Sequence, residues 1–429
     1  MGAHRHHTSG ALAALALIVA HVLASPTVQA SPLDLFGFGG RSPAMAGTGG
    51  ATTTGYDAVY LNPAGLADTT GKHITVGTMG GEMFLYRDDA RTDTDAISGL
   101  IIGGALALPL GGRLRDRVGV GLGFHVPFTA INRARQPLPG VPVHALLENR
   151  THVVAAQGAV GVELTERWRV GLGVLALAEL SGTIDVTADG VGRFATVSEQ
   201  QLVTRLAPIL GVRYLAPERR LKVGLTIRGV SRSDYDILVT NDLGSALPLT
   251  IPTVRIAGVS QYDPFTVAVE GAWAWRPDLE LSAQLAYQRW SAYPAPTANP
   301  IEIRPPNPSP GFHDIAVPRL AAEWRVQRGV TRLAARLGYA FLWSPAPEMD
   351  GQQSLLDNHR NVITAGFGIA WPETQLPFAI DGWVQAHHLV PRTHTKDPSQ
   401  FDPDDPPPFD SLRARGAVLV AGLTVGVSL

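Results

Sequence analysis

The residues of this 429-residue chain that could do covalent chemistry are few and poorly placed for it. His387 and His388 lie near Asp381, as the base and its orienting carboxylate would in a hydrolytic triad, but no Gly-x-Ser-x-Gly elbow supplies a serine for them to activate. Together with His394 they offer imidazole nitrogens to a metal, yet their spacing matches no established ligand set. With no cysteine in the chain, there is no thiolate nucleophile, no disulfide staple and no acylated N-terminal cysteine. The stretch 36–67, FGFGGRSPAMAGTGGATTTGYDAVYLNPAGLA, holds glycines too dense for a helix and lacks the βαβ setting of a dinucleotide fingerprint. The sequence therefore reads as a non-enzyme with no catalytic residue, metal or cofactor. Its glycines are expected to let the backbone pack tightly in a narrow space.

Composition narrows the setting. A formal net charge of -2 gives no reason to expect a nucleic-acid partner, and 17% charged residues with 46 glycines is lean for a water-soluble enzyme of this size. Arg5 lies among His4, His6 and His7, ahead of an apolar run from Ala11 to Leu23 and then Val28-Gln29-Ala30. That is the layout of a secretory signal cleaved after Ala30, which would remove those three histidines. No later segment offers about 18 uninterrupted apolar residues, so the mature chain is not expected to cross a membrane as helices.

Past residue 70 the apolar residues recur with the strand period. Leu279, Leu281, Ala283, Leu285 and Tyr287 alternate with Glu280, Ser282, Gln284 and Gln288. Leu221, Val223, Leu225 and Ile227 are set against Lys222, Thr226 and Arg228, and Leu333, Ala335, Leu337 and Tyr339 against Arg332 and Arg336. Alternation alone also fits a soluble antiparallel sheet with one wet face. The connections favour a barrel. Short polar turns near 111–116, 165–168, 216–220, 276–278, 328–330 and 372–375 alternate with long segments near 87–96, 129–149, 186–198, 238–252, 294–313, 345–357 and 391–411. This gives an even count of fourteen strands, with short turns on one side. The count treats Tyr262-Asp263-Pro264 as an irregularity within one strand or the edge of an outer loop; reading it as a turn gives fifteen. Trp168, Trp275, Trp324 and Trp371 fall beside short turns, and Trp290 and Trp343 near long loops, as two aromatic girdles would place them. Apolar alternates are expected to face lipid and polar ones the lumen.

The segment from Gly39-Gly40-Arg41 through Met45-Ala46-Gly47, Gly49-Gly50-Ala51 and Asp57-Ala58 to Asn62-Pro63-Ala64-Gly65-Leu66-Ala67 resembles the N-terminus of the FadL/TodX family of outer-membrane hydrophobic-compound transporters. Weaker matches follow in order: Val118 to Phe128, Arg289-Trp290-Ser291, and Asp357-Asn358-His359-Arg360 with Thr364-Ala365-Gly366. The resemblance implies an all-β fold, a 14-stranded antiparallel transmembrane β-barrel plugged by an N-terminal hatch. On that reading 1–30 is the signal peptide, 31–70 the hatch and 71–429 the barrel. It also implies passive uptake of long-chain fatty acids or other hydrophobic compounds across a Gram-negative outer membrane, with lateral exit at a proline-containing third strand, here Pro127. Pro127 could equally just end that strand.

Several hatch residues have a role to be settled. Phe36, Phe38, Met45 and Leu66 either touch ligand or pack the plug, and Arg41 and Asp57 either anchor it or, for Arg41, meet a carboxylate. Asn62, Pro63 and Ala64 form the hatch turn. Arg205, Arg213, Arg228, Arg332 and Arg336 are expected to pair with lumenal acids such as Glu280. Expected partners are the hydrophobic cargo, outer-membrane lipid and lipopolysaccharide, and the barrel-assembly machinery, with the protein a monomer. The chain departs from the family by ending in Leu429 rather than an aromatic residue. A general diffusion porin or a structural barrel is the alternative.

Overall fold

The computed structural model describes residues 32–129, 142–151, 153–188, 194–218, 220–242, 253–295, 310–404 and 406–429. The expected signal peptide and parts of the long connections lie outside these residues. Fourteen antiparallel strands form one closed sheet. They are β1 (Lys72–Arg87), β2 (Ile97–Ala107), β3 (Val118–Pro127), β4 (Ala155–Glu163), β5 (Trp168–Ala188), β6 (Phe194–Leu215), β7 (Leu221–Arg228), β8 (Phe265–Arg276), β9 (Leu279–Arg289), β10 (Ile315–Arg328), β11 (Thr331–Leu342), β12 (Arg360–Trp371), β13 (Phe378–Thr395) and β14 (Ser411–Ser428). β1 closes the ring on β14, from His73 opposite Ser428 to Arg87 opposite Ala414. Closure leaves no free edge there, the condition for a sheet whose outer surface meets hydrocarbon. The Leu429 N–H completes the seam by donating to the Lys72 carbonyl at 2.8 Å.

Two strands carry outer arms: Ser231–Asp242 follows β7 and Val254–Asp263 precedes β8. The break before β8 falls at Pro264, and a register shift sits between Val259 and Gln261. The segment around 262–264 is thus an irregularity in one continuous strand, and the even count holds.

Alternation sorts the wall into two surfaces. Leu285, Leu320, Leu337, Ile363, Leu419 and Val425 are exposed, with Trp168, Trp273, Trp275 and Trp324 exposed at the short-turn end. Trp290 departs from the girdle expected of it. It lies just past β9 in a 3-10 turn, Trp290–Ala292, where strand alternation no longer sets direction, and is buried with Tyr262, Tyr293 and Phe312 while its indole N–H donates to Gln288 at 3.1 Å.

The lumen differs from the expectation of polar residues throughout. Toward the short turns it is ionic, with Arg169, Arg213, Glu280, Glu323 and Arg336 buried. Toward the long loops a large apolar cluster joins the polar groups: Met83 and Leu85 of β1, Ile97 and Ile101 of β2, Leu175 and Leu177 of β5, and Val418 of β14 belong to it, beside the buried Arg319, Gln385 and His387. No helix among the described residues is long and apolar enough to cross a membrane.

Candidate functional site

The chain from Pro32 to Thr70 occupies the barrel interior as a plug. Its elements are short: α1 (Pro32–Phe36), a 3-10 turn at Pro43–Met45, another at Gly55–Asp57, α2 (Ala58–Leu61) and a 3-10 segment at Pro63–Asp68. Helices this short are not stable alone in water, so the wall must hold them.

It does so mainly at Asn62. The side-chain oxygen accepts from the Ala64 N–H at 3.1 Å, which turns the chain into Pro63. The amide nitrogen donates to the Gly50 carbonyl at 2.8 Å within the plug and to Val212 of β6 at 3.1 Å in the wall. The turn lies against wall glycines: a Cβ at Gly171 would overlap the Pro63 carbonyl, and one at Gly211 would overlap the Asn62 side chain. These two positions accept the plug backbone only because they lack side chains. On the neighbouring wall, one oxygen of Glu270 in β8 accepts from the N–H groups of Gly49 and Gly50 at 2.8 and 3.0 Å and the other from Ala51 at 3.3 Å. Successive N–H groups converging on one carboxylate form an anion nest, here used to dock a plug.

Ion pairs complete the floor. Arg41 donates to both oxygens of Glu323, at 3.0 and 2.8 Å, and to Glu280 at 3.1 Å. Glu323 also receives Arg336 at 2.7 Å, and Lys222 pairs with Glu280 at 2.8 Å. Asp68 bridges Arg169, at 2.9 Å, and Arg213. Arg41 is therefore consumed as an anchor. Asp57 is buried in the plug without an ion-pair partner within reach of its carboxylate among the described residues; burial, then the negative charge of Asp381, pushes it up to about 7 against the hydrogen bond from Tyr56 and the pull of Arg41 and Arg336.

Above the floor lies a chamber lined by both apolar and polar side chains. Leu33, Leu35 and Phe36 of α1 are buried in the same cluster as the upper wall, and Phe36 meets the His387 ring edge-on at 5.5 Å. A cavity of about 40 Å³ runs between α1, Tyr60, Leu61 and the wall residues Arg228, Gln284, Arg319 and Gln385. Of the hatch candidates, Phe36 borders this cavity, whereas Phe38 packs on Tyr56, Leu66 packs with Val59, and Met45 is fully buried. Arg228 lies over the Tyr60 ring at 4.8 Å and 3.6 Å from Asp34, while Arg205 pairs with Glu179 at 2.8 Å. Arg332, by contrast, donates to Gln327 rather than to an acid.

A second closing element comes from the β3–β4 connection, which sequence patterning gave no reason to place inside. Residues 142–151, with α2's counterpart α3 (Ala145–Glu148), are buried in the outer mouth. Arg150 pairs with Asp34 of α1 at 3.0 Å and with Asp263 of the wall, and lies over Trp290 at 5.5 Å. Pro127 ends β3 and faces inward, opposite Gly99 of β2. The Phe128 N–H donates to Ser98 of β2, so by alternation the N–H that Pro127 lacks would point toward β4. Pairing with β4 has already stopped there, at His125–Ala155. His387, His388 and His394 gather no metal-holding group, and no cluster of three or more such ligands occurs among the described residues.

No family model matches the chain, and no curated protein matches it. Among solved structures it is similar to a Pseudomonas aeruginosa FadL homologue, at 12% identity over 94% of this chain and 98% of that one, with a TM-score of 0.54. The Pseudomonas putida toluene transporter TodX aligns at 14% identity over 92% and 99%, TM-score 0.54. The Ralstonia pickettii toluene transporter TbuX aligns at 13% over 91% and 99%, TM-score 0.51. At these identities the likeness is one of fold.

Two outcomes follow from the plug's docking. Gly171→Val together with Gly211→Val should leave the barrel assembled but displace the plug, and single-channel recording should then show a steady conductance that the unaltered protein lacks. A carboxyl whose folded pKa is raised stabilises the fold below its unfolded value and loses that contribution as pH rises through the folded value. The Asp57 contribution should accordingly fall as pH goes from about 4 to about 7, so in a melting series Asp57→Asn should gain stability relative to the unaltered protein across that range.

Proposed function

We propose that this protein is a passive transporter of a Gram-negative outer membrane that takes up long-chain fatty acids or other hydrophobic compounds, aromatic hydrocarbons included. The observation that carries this reading is a chamber with a large apolar cluster in its wall, set above a floor sealed by ion pairs. An open lumen for small polar solutes would have no use for either part. The exposed apolar belt and the closed ladder support a bilayer location.

Each methylene that leaves water for the chamber contributes about 0.8 kcal/mol, which draws apolar cargo inward without an energy source. The cavity of about 40 Å³ has room for a few water molecules but not for such a cargo. Cargo must therefore displace α1 to enter, and the ordering lost and regained there keeps binding from becoming too tight to release. The polar, ionic floor opposes onward movement along the barrel axis, since an apolar ligand cannot replace the partners of Glu323 or Asp68. Exit sideways into lipid fits that constraint, and the end of β3 at Pro127, where pairing with β4 has stopped, is a suitable place for it.

The test is uptake together with conductance. Cells of a Gram-negative host lacking its own channels of this kind, given this protein, should accumulate labelled oleate or toluene, and the purified protein should show little conductance. A large steady channel without uptake would make it a porin; neither activity would make it a structural barrel. Pro127→Ala should lower uptake while the barrel still inserts, and unchanged uptake in an inserted mutant would remove Pro127 from the exit route.

A further inference from the structure

Two cavities lie beneath the plug, at the short-turn end, which in an outer-membrane barrel faces the periplasm. One, of about 450 Å³, is walled by β10 to β13 and lined by Glu323, Arg325, Gln327, Arg332, Arg336 and Asp381 among others. The other, of about 340 Å³, lies between β12, β13, β14, β1 and the underside of the plug. Ala370, Ala379 and Asp381 line both, so the two meet there. Each is of the size that holds a small molecule. Apart from position 219, every short connection belongs to the described residues, so the surroundings of both spaces are known.

The two halves offer different chemistry. In the first, three arginines face two carboxylates. Glu323 already receives Arg41, Arg325 and Arg336, and Asp381 receives Arg336. Arg325 also reaches Glu280 at 3.3 Å, an acid that Arg41 and Lys222 share. Arg332 stands outside this network. It lies opposite Gln327, one rung above the β10–β11 turn, and its Nε donates to the Gln327 amide oxygen at 3.3 Å. No carboxylate among the described residues pairs with it. A guanidinium fork without an acid, in a concave space beside two further arginines, suits an oxyanion.

The second half is lined by hydroxyls: Thr69 and Thr70 of the plug, Thr75 of β1, and Thr424 of β14. Thr69 is buried and its hydroxyl makes no hydrogen bond. Asp68, on the same side, is held by Arg169 and Arg213. Where the halves meet, Asp381 gives one oxygen to Arg336 and keeps acceptor sites for a hydroxyl. An ion without hydroxyls would leave Thr69 unanswered, and a neutral sugar would leave Arg332 so. A molecule that carries an oxyanion and hydroxyls together answers both, and each such bond adds to affinity because the protein group it meets is otherwise unpaired.

We infer that the space beneath the plug binds a small hydroxylated anion from the periplasm, a sugar phosphate or a sugar acid, with its oxyanion on Arg332 and Arg325 and its hydroxyls on Asp381 and Thr69. The ionic floor separates this site from the chamber, so it is independent of what the chamber carries. Calorimetric titration of the whole protein, purified in detergent, with glucose 6-phosphate, glucuronate, inorganic phosphate and glucose reads the two halves separately. Glucose 6-phosphate or glucuronate should bind saturably and at least about tenfold more tightly than inorganic phosphate or glucose, and the tighter of the two names the oxyanion. Arg332 is exposed and outside the Glu323 network, so Arg332→Gln leaves the floor intact; it should weaken binding by about tenfold or more, and Arg332→Lys should recover part of the loss. Thr69→Val should weaken the hydroxylated anion while leaving inorganic phosphate unchanged. Arg113→Gln, on the β2–β3 turn outside both cavities, should alter nothing. The site is overturned if neither hydroxylated anion binds, if inorganic phosphate or glucose binds as tightly as they do, or if Arg332→Gln binds like the unaltered protein or loses no more than Arg113→Gln.

Discussion

A barrel lumen lined with buried charge is stable only while something fills it, and Glu270 shows the dependence most directly. Its carboxylate is buried on a wall strand, and its hydrogen bonds come from three plug N–H groups and the side chain of Gln284. Without the plug that carboxylate would keep one amide donor in a low-dielectric interior, a cost of several kcal/mol. The reverse also holds, since the N–H groups of the Gly49–Ala51 turn would have no acceptor. Plug and wall are thus each incomplete alone. The glycine-lined seat for Asn62-Pro63, the Arg41 bridge to Glu323 and the Asp68 bridge to Arg169 all depend on a registry that this mutual satisfaction fixes.

The same registry divides the interior. Below the plug's midline the side chains answer one another as ions; above it the wall brings in methionine, leucine and isoleucine beside the ion pairs that Asp34 makes with Arg150 and Arg228. A molecule that prefers the upper zone has no favourable path through the lower one. Function in this fold follows from where the wall is complete and where it is not, because backbone pairing is the only seal a strand can offer to lipid.

Much of this was legible in the sequence. Strand-period alternation in segments such as 279–288 and 332–341 fixed which faces meet lipid, and the rhythm of short and long connections gave the count. Asn62-Pro63-Ala64 stood out because the dipeptide forces a turn. What stayed hidden depends on contacts between distant segments. Trp290 counted as a girdle residue until a 3-10 turn rotated it inward. Residues 142–151 carry no periodic signal that distinguishes an inserted loop from an exposed one. The apolar cluster of the upper lumen is not legible because alternation says which residues share a face and not what that face touches.

Asp34 belongs to two closures at once. It is part of α1, and it receives Arg150 from the loop that fills the mouth, with Arg228 on its other side. Lifting the loop strips the aspartate of its nearest cation, which leaves α1 less firmly seated; reseating α1 offers the loop its anchor again. The two closures therefore share one bolt, so that whatever draws the outer one also loosens the inner.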